Sequence, residues 1–293
     1  MTALPPLPVA VLGVGYLGSR HADRLAEGPW FTPRAVFDRD ADRARTVADR
    51  LGCRAATSVD EALEHAEAVV VATSTSAHQA AVATALAAGR HVLVEKPLTA
   101  RLESAEALVA QAEAAGLVLQ VGQVERFNPA LRSLFGTLPA PYFVESHRLA
   151  SLVPRNLDLN VVQDLMVHDL DLAIAFVGGE PESVGGGGVP GVTDRVDIAN
   201  ARLRFPSGAV ANLTASRVSL ERVRKFRMFL PGTYVSADTA ARTAQVYRLK
   251  DTRADALKEA LASGSPLSML QVLDRTVAGA GDTTDALTEE HGA

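Results

Sequence analysis

Over its first 122 residues the chain alternates short valine-rich apolar runs with longer stretches of helical apolar spacing. Val9–Leu12, Ala35–Phe37, Ala68–Ala72, His91–Val94 and Leu117–Val121 read as strands. Leu17–Ala26, Ala41–Leu51, Ser76–Ala88 and Leu102–Ala115 read as helices, and Gly52, Gly89 and Gly116 stand where a left-handed C-cap wants glycine. Strands that are apolar almost throughout must be covered on both faces, which predicts a doubly wound parallel sheet. This α/β domain is expected over residues 1–122.

The pattern changes after Gly122. A proline-containing loop over Phe127–Pro141 leads to a strand at Tyr142–Leu149, and Val161–Phe176 reads as a helix ended by Gly178-Gly179. Beyond residue 182, strand-like segments such as Val196–Phe205, Ala209–Val218 and Arg224–Leu230 are punctuated by turn residues. A second α+β domain with a largely antiparallel open sheet is expected over residues 123–293. Gly185–Gly188 reads as a flexible turn between strands, and Gly281–Ala293 as a polar, fraying tail.

Gly13-Val14-Gly15-Tyr16-Leu17-Gly18 follows the first strand and opens the first helix. In that setting the glycines permit a tight turn, close approach of a pyrophosphate and helix–strand packing, and the helix N-terminus offers free N–H groups to an anion. Asp38, 20 residues beyond Gly18, stands where a carboxylate takes ribose hydroxyls and repels a 2′-phosphate. NAD is therefore expected. Arg39 beside it is suited to hold that phosphate, so NADP stays open.

At 293 residues the chain has room for two domains, and a net charge of −5 gives no reason to expect nucleic acid. One cysteine, Cys53, makes no internal disulfide. The sequence has no apolar run of membrane-spanning length and no basic, apolar leader, so the cytoplasm is the expected location.

Four further stretches stand in order along the chain. They are Ala72-Thr73-Ser74-Thr75-Ser76-Ala77-His78, Glu95-Lys96-Pro97, Val121–Pro129 and Asp164-Leu165-Met166-Val167-His168-Asp169-Leu170-Asp171. With the glycine motif they resemble the glucose–fructose oxidoreductase/inositol dehydrogenase (Gfo/Idh/MocA) family. Within it, the likeness is to nucleotide-sugar members such as UDP-N-acetylglucosamine 3-dehydrogenases. The resemblance implies hydride transfer between nicotinamide and a ring hydroxyl of a sugar, nucleotide sugar or cyclic polyol. It implies catalytic roles for Lys96, Asp164 and His168, with Glu95 positioning the nicotinamide ribose. It also implies a cis bond before Pro97.

The residue types agree with that chemistry. At about 100° per residue, Asp164, His168 and Asp171 share one helical face. Histidine suits removal of a hydroxyl proton, and lysine suits stabilising the alkoxide left behind. The enzymatic reading needs Lys96 and His168 to meet at a bound nicotinamide. The expected cofactor residues are Gly13, Gly15, Tyr16, Leu17, Gly18, Asp38, Arg39, Thr73, Ser74, His78, Glu95 and Lys96. Arg126, Asn128, Arg148 and Arg155 are the expected substrate residues, because arginine pairs well with a diphosphate. His147 is a further candidate for the cleft lining. No second ligand-spaced His or Cys accompanies the triad, and no metal is expected. An open sheet commonly pairs with another subunit, so a homodimer or homotetramer is expected. Two other readings stand beside the dehydrogenase: a glycoside hydrolase using transient NAD oxidation, and a dinucleotide-binding sensor without catalysis.

Overall fold

The computed structural model describes residues 5–153, 159–250, 258, 262–264 and 272–293. It divides into two compact units, residues 1–124 with 285–293, and residues 125–284.

The first unit is built on a six-stranded sheet in the order β3-β2-β1-β4-β5-β6. The strands are β1 (Leu7–Leu12), β2 (Phe31–Phe37), β3 (Arg54–Ala55), β4 (Ala68–Val71), β5 (His91–Glu95) and β6 (Leu119–Gly122), and every pairing is parallel. Between them run α1 (Tyr16–Glu27), α2 (Ala41–Leu51), α3 (Val59–Glu64), α4 (Thr75–Ala87) and α5 (Leu102–Ala115). The valine runs are apolar throughout because each strand feeds two cores. Val9, Val11, Val36 and Val70 pack with Ala22, Leu25 and Val47 on one face; Ala10, Leu12, Val69 and Val71 pack with Val82, Leu86 and Leu108 on the other. Each fully buried valine or leucine stabilises the fold by about 1.5–3 kcal/mol. Local signals set the helix ends: Asp40 accepts the Arg43 N–H at 3.1 Å, Ser58 accepts the Glu61 N–H at 3.0 Å, and Gly52 closes α2 at φ 65°. The strand order changes direction between β1 and β4, the place where doubly wound sheets bind ligands.

The tail corrects two expectations. Instead of fraying as part of the second domain, residues 285–293 join the first unit as α8 (Ala286–His291), packed on α1. Asp285 caps this helix by accepting the Leu287 and Thr288 N–H groups, and Arg24 of α1 reaches the same carboxylate at 3.3 Å. The helix is too short for an apolar period to show; its anchor is Leu287, 7% exposed.

The second unit carries an eight-stranded sheet, β14-β13-β12-β11-β7-β10-β9-β8. Its strands are β7 (Phe143–Leu149), β8 (Ser183–Val189), β9 (Ile198–Arg204), β10 (Val210–Ser216), β11 (Val223–Leu230), β12 (Thr233–Asp238), β13 (Thr243–Leu249) and β14 (Leu273–Ala278). All pairs are antiparallel except β7 with β10. A short helix, α6 (Pro129–Arg132), lies inside the stretch expected to be loop. Val144, Leu213, Met228, Val235 and Val246 face a core shared with Met166, Leu172 and Ala173. The Val161–Phe176 helix is realised as a π-helical turn over Val162–Met166 followed by α7 (Val167–Val177).

The glycine run is a strand, not a turn. Ser183–Val189 forms the exposed edge strand β8, antiparallel to β9. A side chain at Gly186 would collide with the Asn200 carbonyl oxygen, and one at Gly188 with Val196. Glycine is there so that two backbones can approach, a use that reads like a turn signal in sequence. Among the described residues, no helix is long and apolar enough to cross a membrane.

Candidate active site

In the first unit, Leu12, Val71 and Val94 sit in one row across β1, β4 and β5. The segments that follow them, Gly13–Gly18, Ala72–Ser74 and Glu95–Pro97, therefore leave the sheet from the same edge. Gly13 takes φ 82° and donates its N–H to the Phe37 carbonyl at 2.7 Å. A Cβ on Gly13 would lie 2.8 Å from the Ala72 oxygen and from Thr73, and one on Gly18 would overlap the Gly13 oxygen. A Cβ on Gly15, by contrast, meets nothing within 4 Å. Two glycines thus pack the loop and the third leaves room above it. That room fits a pyrophosphate at the head of α1, whose first amides lack partners within the helix. Tyr16 and Leu17 open α1 at the surface, 71% and 36% exposed.

Asp38 ends the β2 crossover and turns back on the glycine loop. Its Oδ2 accepts the Val14 N–H at 2.9 Å, while Oδ1 accepts the Asp40 N–H at 2.9 Å and an Arg43 N–H at 3.2 Å. Arg39 is exposed. The cation that engages Asp38 is Arg43, which also pairs with Asp40 at 3.1 Å; nothing in the glycine motif or its spacing points to it. Thr73 and Ser74 precede α4, with Ser74 Oγ 3.2 Å from Ser76 Oγ. His78 departs from expectation. It is 1% exposed, with Nδ1 2.9 Å from the Pro97 oxygen and Nε2 3.1 Å from the Thr73 oxygen. It ties two loops together and offers no free face to a cofactor.

Glu95 is the last residue of β5 and is buried. Its Oε1 lies 2.8 Å from His21 Nε2, and His21 Nδ1 lies 2.7 Å from His291 Nε2. Lys96 follows, half-buried, and the Lys96–Pro97 bond is cis. The two histidines escaped sequence reading, since His291 meets His21 across 270 positions.

In the second unit, Asp164 lies within the π-helical turn and His168 in the first turn of α7, both half-buried. The i→i+5 pattern needs more than four residues per turn, so the four-residue step between them falls short of the full turn expected of a regular α-helix. Such turns recur at functional sites. Asp171 is not shared with them: it holds Arg126 in a two-pronged ion pair at 2.7 and 2.6 Å. That pairing keeps the Arg126 guanidinium charged by hydrogen bonding to Asp171.

Two expected substrate residues belong to the scaffold. Arg148 is 2% exposed and donates three bonds to Asp169 at 2.8–3.1 Å and one to Glu125 at 3.0 Å. Burial works against its charge, but Asp169 and Glu125 outweigh it and hold the pKa above the usual arginine value. Asn128 caps α6 through Ala130 and donates to Glu125 and the Thr239 carbonyl, all at 3.0–3.1 Å. His147 alternates with Arg148 along β7 and so stands on the opposite face of the sheet from that cluster. Arg155 lies outside the described residues.

Comparison with known proteins agrees with these features. Residues 7–123 match the oxidoreductase family with an NAD-binding Rossmann fold, and residues 147–234 match the GFO/IDH/MocA C-terminal domain. The chain is 44% identical over 241 residues to the UDP-N-acetylglucosamine 3-dehydrogenase of Acidithiobacillus ferrooxidans, covering 81% of this chain and 75% of that one. A solved structure of that enzyme superposes with a TM-score of 0.86 at 37% identity, over 99% of this chain and 88% of that one. The myo-inositol 2-dehydrogenase of Thermotoga maritima is 29% identical over 71% of this chain and 68% of its own. GenD2 from gentamicin A biosynthesis, solved in complex with NAD, gives a TM-score of 0.74 at 28% identity over 80% of this chain and 73% of its own. With a dinucleotide-binding loop, a Glu-Lys-Pro strand end and an open antiparallel sheet in family order, the chain belongs to the GFO/IDH/MocA family of NAD-binding oxidoreductases.

Proposed function

We propose that this protein is an NAD-dependent dehydrogenase that oxidises a ring hydroxyl of a nucleotide-linked amino sugar, with UDP-N-acetylglucosamine the first substrate to test. The observation that carries the reading is the 44% identity to a UDP-N-acetylglucosamine 3-dehydrogenase across 81% of this chain. A free sugar or cyclic polyol is the second reading, favoured by the likeness to an inositol dehydrogenase.

The glycine loop, the head of α1 and Asp38 would hold the dinucleotide, with the Asp38 carboxylate favouring a free ribose hydroxyl over a 2′-phosphate. When bound, NAD supplies the acceptor for the hydride. The chain's own residues handle the proton. His168 takes it from the substrate hydroxyl, since imidazole titrates near neutrality. Lys96 stabilises the developing alkoxide with its ammonium group, and Asp164 balances the charge that His168 takes up. Arg126 remains a candidate for the substrate diphosphate, with Asp171 fixing its plane.

The outer face of the eight-stranded sheet supports a homodimer or homotetramer. Phe143, Phe229, Tyr234 and Tyr247 form a ladder across four strands there, with ring centroids 4.9–5.9 Å apart. A cytoplasmic location fits a protein of this kind.

The test is formation of NADH from NAD with UDP-N-acetylglucosamine, UDP-glucose, free sugars and inositols, repeated with NADP. Lys96→Met and His168→Ala should each lower turnover by at least about a hundredfold while dinucleotide affinity holds. Release of a sugar from a glycoside without net NADH would instead establish the hydrolase. Dinucleotide binding with no turnover on any substrate would establish the sensor.

A further inference from the structure

A buried chain of hydrogen bonds joins the C-terminal helix to the Glu-Lys-Pro motif inside the first unit. Its members are Glu95, His21 and His291, linked by contacts of 2.8 Å and 2.7 Å, with His21 0% exposed. The proton positions follow from the partners. Glu95 is an acceptor, so His21 carries its proton on Nε2 and presents a lone pair at Nδ1. His291 Nδ1 is buried and meets no partner among the described residues, so a proton there would be an orphaned donor. The His291 proton therefore sits on Nε2 and is donated to His21 Nδ1. Every link then has one donor and one acceptor, and the order runs from the last helix to the carboxylate.

Removing the His291 donor leaves the His21 Nδ1 lone pair buried and unpaired, while the Glu95 carboxylate still keeps the proton on Nε2. The ring then loses one of its two anchors and can turn, and the Glu95 carboxylate bonded to it can turn with it. Glu95 directly precedes Lys96, and its carboxylate also lies 3.3 Å from where a Cβ on Gly122 would stand. It therefore has little room to turn without shifting the end of β5.

We propose that His291 is a positioning residue: by anchoring the His21 ring at Nδ1 it holds Glu95, and with it the Lys96 end of β5, in place for the reaction. The inference rests on the reading of Glu95 and Lys96 as part of the nicotinamide site. It gives the C-terminal helix a part in activity through His21 of α1.

The experiment compares full-length wild type with His291→Phe, which keeps ring volume and loses the donor, and with His291→Gln, which restores an N–H. The readouts are the His21 tautomer from imidazole nitrogen chemical shifts, the melting temperature, the NADH dissociation constant, and kcat with KM on UDP-N-acetylglucosamine. Wild-type His21 should be protonated on Nε2. His291→Phe should keep that proton on Nε2, where Glu95 still accepts it, and lose about tenfold in kcat because a displaced reacting group is costly, with KM and NADH affinity within about threefold. His291→Gln should recover the rate. A wild-type His21 protonated on Nδ1 overturns the proposal whether or not either variant folds. So does a folded His291→Phe variant that keeps the wild-type kcat. Absence of wild-type turnover on the whole substrate panel is a separate failure, that of the dehydrogenase reading, and leaves the tautomer result standing on its own.

Discussion

The Asp38 carboxylate accepts the backbone N–H of Val14 at 2.9 Å, so the residue expected to select the cofactor also braces the loop that receives it. Its side chain is only 10% exposed and turns its second oxygen to Arg43. Two roles in one carboxylate can be separated by substitution. Asp38→Asn keeps an acceptor for Val14 and removes the charge, so it should fold like wild type and admit NADP. Asp38→Ala removes both and should also weaken NADH binding by at least about tenfold, in line with about 1.5–3 kcal/mol for a charge-assisted bond. Fluorescence titration with NADH and NADPH decides; an unchanged preference in both variants would remove Asp38 from selection.

Gly15 and Gly18 look equivalent in a motif but differ in space. The open surroundings of Gly15 allow a methyl group without disturbing the fold, whereas a methyl group at Gly18 overlaps the Gly13 carbonyl oxygen. Gly15→Ala should therefore keep the wild-type melting temperature and lose most dinucleotide affinity, because the methyl group occupies the phosphate approach. Gly18→Ala should lower the melting temperature as well. If Gly15→Ala binds NADH normally, the cradle lies elsewhere on the loop.

Arg148 separates scaffold from site. With Asp169 and Glu125 both bonded to it in the core, Arg148→Ala takes a counter-ion from two buried carboxylates and leaves Glu125 with Arg224 at 3.4 Å, a loss of about 3–5 kcal/mol. A substrate-binding arginine would raise KM and spare stability. Urea unfolding followed by steady-state kinetics tells these apart, and a stable variant with a raised KM would return Arg148 to the substrate.

How far the sequence could be read depended on how local each signal was. The valine runs and glycine loop were legible because burial on two faces and a tight turn leave their marks within a few residues. The alternation along β7 also placed Arg148 on the same face as Val144, 0% exposed, so its burial was there to be read from period alone. That arginine was instead read by its charge. Gly185–Gly188 misled because glycine marks both turns and close strand contacts. His21 and His291 carried no mark at all: nothing near either residue encodes a partner so remote, and only the folded chain brings them together.

The same pair predicts how acid acts on the first unit. Burial, opposed by Asp285, pushes the His291 imidazole down to about 3. An unfolded histidine titrates near 6.5, so between about pH 6.5 and 3 the unfolded chain binds a proton that the folded chain refuses. Stability from this group is complete above that window and falls as pH drops through it, by up to about 1.4 kcal/mol per unit. His291→Phe has no such proton to refuse. Wild type should therefore lose about 2 kcal/mol relative to the variant between pH 7.5 and 5, seen by urea unfolding of the full chain or by earlier exchange of the α8 amides. An equal gap at both pH values would mean that the imidazole is free to protonate in the folded state, and that α8 does not bury it.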